Sequence, residues 1–354
     1  MTVPGPAATE VAVRLPAGED TVARWTGPAW SAELDGWVAD ALSRHGVSMT
    51  GAPVVHKLRP WAVVYAVPTD HGRFFAKQNC AGQLFEAGLL GVLSEVVPGR
   101  VLSPAALDTE RGLLLLPDGG PVLSTLAAHD IDLWCRVVAE WADVQRAVMS
   151  HVDALRGVGV TEVPTASMAE LVAARAEALH MLPHSDPRRL DEDSLALVRR
   201  ALPDVADWAE HVGALGLPTT LNHNDLHANN AFVPVVADAP LRFFDLADSV
   251  LGDPLATLLV PLDVLGTDLD ASPSDPRLRR VADAFLEVWS DLVPTGELRV
   301  ALPAALHLAR MHRHESWWRC APHLYGEGLT DHGALVGLWL QKLGDPPPVH
   351  FHTE

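Results

Sequence analysis

Basic residues are scarce in this chain: 26 lysines and arginines stand against 45 aspartates and glutamates among 354 residues, a formal net charge of −19. Nucleic-acid backbones are held by clustered Lys and Arg that displace counterions, so no nucleic-acid partner is expected. Cysteine is scarcer still. Cys80, Cys135 and Cys320 lie far apart, form no C-x-x-C pair and leave an odd number, which argues against a disulfide framework or a zinc ribbon. No charge-free apolar run reaches the roughly 18 residues of a membrane span. The opening "MTVPGPAATE" lacks a basic stretch followed by an apolar one. A cytoplasmic protein with no membrane partner is therefore expected. Repeats of fixed period are missing too, against solenoids and propellers.

What is present is enough for a sizeable core. The chain is 48% hydrophobic, sufficient for one large domain or two modest ones, as a monomer or a homodimer. Its acidity suits a cationic or metal-chelated ligand, and equally plain solubility. The first ~30 residues, rich in Pro, Gly and Ala, read as an irregular arm. From Ser31, a plausible N-cap, Leu34, Trp37, Val38, Ala41 and Leu42 fall on one helix face, so a leading helix is predicted over 31–46.

Three β-like runs follow, "PVVHKL", "WAVVYAV" and "GRFFAKQ", spaced as an antiparallel meander. Then come a helical stretch, "GQLFEAGLLGVLSEVV", and two more short runs, "PAALDT" and "RGLLLL". The breaker Pro117-Asp118-Gly119-Gly120-Pro121 marks a lobe boundary, giving domains 1–118 and 119–354. Beyond it the chain turns mostly helical, over about 129–153, 166–182, 191–214, 275–292, 296–319 and 331–343. One β-rich, polar insertion interrupts these helices. It begins with "LNHNDLHANN" and ends with "PLRFFDLADSVLGDP".

In that insertion Asp225 and Asn230 lie five positions apart, where a carboxylate can accept a proton from a hydroxyl while an amide oxygen ligates a hard cation such as Mg2+. Loops of this composition also satisfy their own backbone through turn hydrogen bonds. Asp245 ends the apolar run "LRFF", where a carboxylate is costly unless paired or metal-bound. Two strands flanking a turn bring it to Asn230. Lys77, after three apolar residues on a strand, needs an anionic partner in a cleft, and phosphates or Glu86 in the next helix both serve. Strand lysine, helix carboxylate, hinge, H-x-D-x-x-x-x-N and strand-terminal Asp together form a parts set for phosphoryl transfer.

The order resembles the aminoglycoside phosphotransferase-like branch of the protein-kinase fold. His223, Asp225, Leu226 and Asn230 match its H-x-D-L-x-x-x-N motif, and Asp245 to Pro254 its D-x-x-x-x-x-x-G-D-P segment, within a likeness covering roughly residues 50–260. The resemblance implies an α+β bilobal fold: an N-terminal lobe with a five-stranded antiparallel sheet and one main helix, and a larger, mostly helical C-terminal lobe. It implies Asp225 as base, Asn230 and Asp245 as Mg2+ ligands, Lys77 on the α- and β-phosphates steadied by Glu86, and His223 bracing the loop. It implies ATP or GTP as donor, with Leu113 to Gly119, including Leu116 and Asp118, along the nucleobase. A G-x-G-x-x-G phosphate loop is absent, so backbone near Trp61 and Ala62 would cover the phosphates. Leu255-Ala256-Thr257-Leu258 replaces the family's Asp-Leu-Ala after Gly-Asp-Pro, which leaves Asp253 a structural task such as capping.

The implied reaction is O-phosphorylation of a hydroxyl on a small natural product, foremost an antibiotic of the aminoglycoside or nucleoside (capuramycin) type. The alternatives are a metabolic kinase of a sugar or amino alcohol, a zinc hydrolase built on His223, Asp225 and His227, and a non-catalytic kinase-like binding protein. For the acceptor, His227, Asp248 and the stretch "RMHRHESWWRCAPHL" are candidates, with Glu315, Trp317 and Trp318 foremost. Asp263, Asp268 and Asp270 are compatible with an amine-bearing acceptor.

Overall fold

The structure, a computed structural model, describes residue 15, residues 17–234, residue 236 and residues 239–351. Residues 1–14 of the predicted arm lie outside the described residues. The rest of that arm is partly helical, as α1 (Thr21–Trp25), capped by the Asp20 carboxylate, which accepts from the Ala23 amide. The leading helix, α2 (Pro28–Ser43), begins earlier than Ser31 because Pro28 occupies its first turn, where a missing N–H costs nothing. Its buried Leu34, Val38, Ala41 and Leu42 pack with Trp25 on one face of the sheet, against Val63, Tyr65 and Leu115.

The sheet comprises β1 (Val54–Arg59), β2 (Ala62–Thr69), β3 (Gly72–Asn79), β4 (Ala106–Asp108) and β5 (Leu113–Pro117), in the order β1-β2-β3-β5-β4, antiparallel throughout. Helix α3 (Phe85–Val96) follows β3. The predicted meander and its single long helix are thus present. The β1–β2 connection is only Pro60–Trp61, and it is pinned on several sides. Thr21 donates its hydroxyl to the Pro60 carbonyl, the Cys80 amide donates to the Trp61 carbonyl, and the Trp61 ring lies edge-on to Trp317 at 5.3 Å and to His332 at 5.0 Å.

After β5 the chain is mainly helical: α4 (Leu123–Leu126), α5 (Ile131–Val148), α6 (Val152–Gly157), α7 (Met168–His180) and α8 (Glu192–Gly213) precede the insertion. The insertion holds β6 (Thr220–Asn222), β7 (Ala231–Phe232), β8 (Arg242–Phe243) and β9 (Val250–Gly252), paired as β6 with β9 and β7 with β8. Then come α9 (Leu259–Asp268), α10 (Pro276–Val288), α11 (Thr295–Cys320), α12 (Gly326–His332) and α13 (Leu335–Gln341). The predicted helix 129–153 is divided by a 3-10 turn at Met149–His151, α4 and α9 fall outside every predicted range, and α12 meets the predicted 331–343 only at its last two residues.

The larger core runs without a break from α3 through these helices, centred on fully buried Trp134, Trp141, Phe285 and Trp289. The segment around Gly18 meets the turn after α11: the Tyr325 hydroxyl donates to the Gly18 carbonyl at 2.9 Å, and a Cβ on Gly18 would lie 1.9 Å from the Pro322 carbonyl oxygen. Among the described residues no helix is long and apolar enough to cross a membrane.

Candidate active site

A cleft of about 930 Å³ opens between the sheet and the helical part. On its sheet side Lys77 sits within β3 and places its ammonium 2.8 Å from Glu86 of α3 and 2.5 Å from Asp245. Glu86 is only 3% exposed and fully engaged, accepting from the Leu246 amide at 2.8 Å and the Asn79 side chain at 2.5 Å. Burial alone would lower the Lys77 pKa, but Asp245 and Glu86 outweigh it and hold the ammonium above its ordinary value. Lys57, 3.9 Å away, adds a second cation to Asp245. Burial opposes the Asp245 carboxylate, and Lys77 and Lys57 pull it the other way, well below the usual carboxylate range.

The β7–β8 hairpin explains why Asn230 and Asp245 meet. Asn230 immediately precedes β7, Asp245 follows β8 by two residues, and the Phe244 amide donates to the Asn230 carbonyl. Asp245 adopts a left-handed conformation (φ 58°), as does Asn224 (φ 64°). Asp and Asn are the non-glycine residues that tolerate this region best, and such strain gathers at sites that need a side chain aimed. The Asn230 amide group donates to the Asp225 carbonyl at 2.9 Å and its carboxylate at 3.3 Å, which leaves the amide oxygen as the atom for a cation. One carboxylate and one amide carbonyl are hard oxygen donors of the kind Mg2+ takes alongside phosphate and water oxygens.

Asp225 is held from three sides: by Asn230, by His227 at 3.4 Å and by Arg313 of α11 at 3.3 Å. Burial pushes its carboxyl up, yet Arg313 and His227 prevail and keep it below its ordinary value. Burial likewise opposes protonation of His227, and the hydrogen bond to Asp225 overcomes it, raising the imidazole above its usual pKa. His223 is fully buried, donates from Nε2 to the Phe244 carbonyl at 3.0 Å and packs edge-on against Trp141. It braces the loop, with its pKa pushed down to about 4 by burial. Among the described residues no group of three or more His, Cys, Asp or Glu side chains is placed to hold a metal ion, so the zinc alternative lacks a ligand set.

The remaining candidates divide. Leu116, Asp118 and Trp61 line the cleft, Asp118 being bound by Arg73 at 2.6 Å and capping the Gly120 amide at 3.0 Å. Trp61 belongs to the pinned two-residue turn between β1 and β2, its ring edge-on to Trp317. His227, Asp248 and Trp317 also line the cleft. Glu315 and Trp318 do not: Glu315 is 3% exposed and paired with Arg175 of α7 at 3.1 Å, and the same guanidinium covers the Trp318 ring at 4.1 Å. These two belong to the interior, a correction that follows from helix geometry. Arg313, Ser316, Trp317 and Cys320 recur at i, i+3, i+4 and i+7 and form the cleft face of α11, leaving Glu315 and Trp318 on the opposite one. That spacing was the available signal for Arg313 and Ser316, which sequence reasoning missed. Asn224 was missed as well; it ties the loop to α11, donating to the His312 carbonyl and the Ser316 hydroxyl, both at 2.8 Å. Asp253 caps the 3-10 turn Pro254–Leu258, accepting from the Leu255 amide, and burial raises its carboxyl to about 7.

No family model matches the sequence, and no curated protein matches it. Solved structures do. The fold is similar to that of macrolide 2'-phosphotransferase type I, at 16% identity and TM-score 0.54 over 88% of this chain and 98% of that one. It is similar to a Plasmodium vivax ethanolamine kinase, at 11% identity and TM-score 0.62 over 95% and 97% of the two chains. A thermostable mutant of aminoglycoside phosphotransferase APH(4)-Ia, in a ternary complex with AMP-PNP and hygromycin B, matches at 14% identity and TM-score 0.51 over 88% and 96%. The chain thus has the bilobal α+β fold of the aminoglycoside phosphotransferase-like kinases.

Proposed function

We propose that this protein is a Mg2+-dependent O-phosphotransferase that moves the γ-phosphoryl group of ATP or GTP to a hydroxyl of a small natural product, an antibiotic foremost. The observation that carries the reading is the convergence in one cleft of Lys77, Glu86 and Asp245 with Asp225 and Asn230, drawn from β3, α3 and the polar insertion. Asp225 accepts the proton of the acceptor hydroxyl, whose oxygen attacks the γ-phosphorus as the bond to the β,γ-bridging oxygen breaks and the nucleoside diphosphate leaves. Its low pKa keeps it ionised at neutral pH, and Asn230 fixes its orientation. Lys77 neutralises the α- and β-phosphates, and the buried Glu86 keeps the ammonium in the cleft. Asn230 and Asp245 would hold Mg2+, which supplies charge neutralisation on the β- and γ-phosphate oxygens.

Leu116 and its neighbours, with the stacked Phe232 and Phe244 rings 4.1 Å apart, offer an apolar slot for the nucleobase. The solved structures of similar fold include kinases named for macrolide, aminoglycoside and ethanolamine acceptors, which supports a small alcohol as acceptor. The presence of a base and both oxygen donors favours catalysis over mere binding. The test is acceptor-dependent ADP or GDP release with Mg2+ over aminoglycosides, macrolides, nucleoside antibiotics, sugars and amino alcohols. Asp225→Asn should lower kcat at least a hundredfold while nucleotide binding persists. Undiminished turnover in that variant, or none with any acceptor, would sink the proposal.

A further inference from the structure

A net charge of −19 invites the expectation of a polycationic acceptor, but the carboxylates are not where such a molecule would need them. Asp263, Asp268 and Asp270 are exposed on or just beyond α9, outside the cleft lining. On the α11 side of the cleft, apart from Asp245, the acidic residues are Asp225 and Asp248, and the two share one cation, which cancels one of their two negative charges. Arg313 reaches Asp225 Oδ1 with Nη2 and Asp248 Oδ2 with Nη1, each at 3.3 Å. Their other oxygens are occupied too: Gln83 donates to Asp248 Oδ1 at 3.0 Å, and Asn230 and His227 meet Asp225 Oδ2.

Arg313 is not a mobile surface cation that a ligand displaces. Its side chain is 11% exposed, Nη1 donates to the Asn224 carbonyl at 2.6 Å, and the guanidinium lies 5.8 Å from the Trp339 ring centroid. An ammonium group brought beside Asp225 meets this fixed positive charge at short range in a poorly solvated site, and must share carboxylate oxygens that already hold other donors. The rest of the α11 face of the cleft, Ser316, Trp317 and Cys320, is uncharged, and Trp61 meets Trp317 from the sheet side.

We propose that the acceptor carries at most one positive charge and presents a flat or apolar face to the Trp61–Trp317 wall, and that Arg313 sets this preference by cancelling one of the two negative charges of Asp225 and Asp248. The inference rests on the phosphotransferase reading and deepens it.

The experiment uses the full-length protein with Mg-ATP and Mg-GTP. It compares uncharged ring-bearing alcohols, nucleosides and neutral glycosides among them, with sugars bearing four or more amines. Spermidine serves as a competing polycation. The expected result is a kcat/KM at least tenfold higher for the best uncharged acceptor, changing less than twofold on adding 0.5 M salt, with spermidine a poor inhibitor. Arg313→Met should lower the inhibition constant of spermidine at least tenfold, and Arg313→Lys should restore its exclusion. A wild-type preference for the polyamine sugars, or an unchanged spermidine constant in Arg313→Met, overturns the proposal. If Arg313→Met does not fold, the wild-type comparison and Arg313→Lys decide it. Absence of Mg-nucleotide binding and of diphosphate release with every acceptor overturns the phosphotransferase reading beneath it, an outcome distinct from a polyamine preference.

Discussion

Lowering the pH from 7 to 5 should remove roughly 3 kcal/mol of folding stability, before most carboxylates begin to titrate. His223, His312 and His314 are each no more than 1% exposed, and burial holds their pKa values at about 4, about 4 and about 3. In the unfolded chain each returns to about 6.5, so between these values the unfolded state binds protons that the native state refuses. The stabilisation is present above pH 6.5 and is lost as the pH falls through that value toward the folded pKa. Each ring contributes a slope approaching 1.4 kcal/mol per pH unit, or about 1.8 kcal/mol between pH 7 and 5, and the three together a little over 5 kcal/mol. That is comparable to the whole stability of many domains.

His227 works in the opposite sense. Its pKa is raised, so its contribution is full below pH 6.5 and fades as the pH rises through the folded value. Asp253, raised to about 7 by burial, likewise takes up a proton in the folded state as the pH falls from 7 to 5 and returns about 2 kcal/mol, so the net loss is smaller than the histidines alone would give. Urea unfolding followed by far-UV circular dichroism at pH 5, 6, 7 and 8 reads the slope directly. His312 has no titration partner beyond its burial, so His312→Leu should reduce the drop between pH 7 and 5 by about 1.8 kcal/mol. A free energy of unfolding that stays flat to pH 5.5 and falls only in the carboxylate range would refute the reasoning.

Glu86→Ala should destabilise the fold by about 3 kcal/mol and depress kcat, because it strips the Leu246 amide, the Asn79 side chain and Lys77 of one shared buried acceptor; thermal unfolding and steady-state kinetics check both halves. Gly119→Ala brings a Cβ within 2.3 Å of the Phe232 ring, which the stack on Phe244 prevents from yielding. It should cost about 1–3 kcal/mol and raise the KM for nucleotide at least fivefold, read in the same assays.

The sheet was legible because period-2 runs punctuated by turn residues leave little choice of register, and the meander formed as written. The convergence of Lys77, Glu86, Asp225, Asn230 and Asp245 in one cleft was legible for a related reason: each is placed by a local element whose type the sequence declares. Helix α9 was not, since "LVPLDVLGTD" is apolar on nearly every side and carries Pro261, so it shows neither amphipathic period nor clean caps. Helix α12 hides behind Gly326 and Gly328. On α11 the right stretch was chosen and the wrong face. Glu315 reads as a free carboxylate until Arg175, 140 residues earlier in the chain, is seen beside it, and no local pattern announces a pair at that separation.

The Pro60–Trp61 turn has a consequence for how such a protein diversifies. Its position is settled by Thr21 near one end of the chain and by Trp317, Gly328 and His332 near the other, residues distinct from Asp225, Asn230 and Asp245. The entrance to the cleft is therefore inherited separately from its chemistry. Drift in the first helix or in α12 can reshape what enters while Asp225, Asn230 and Asp245 stay fixed, so lineages that share the reacting groups are free to part company in substrate through changes at the two ends of the chain.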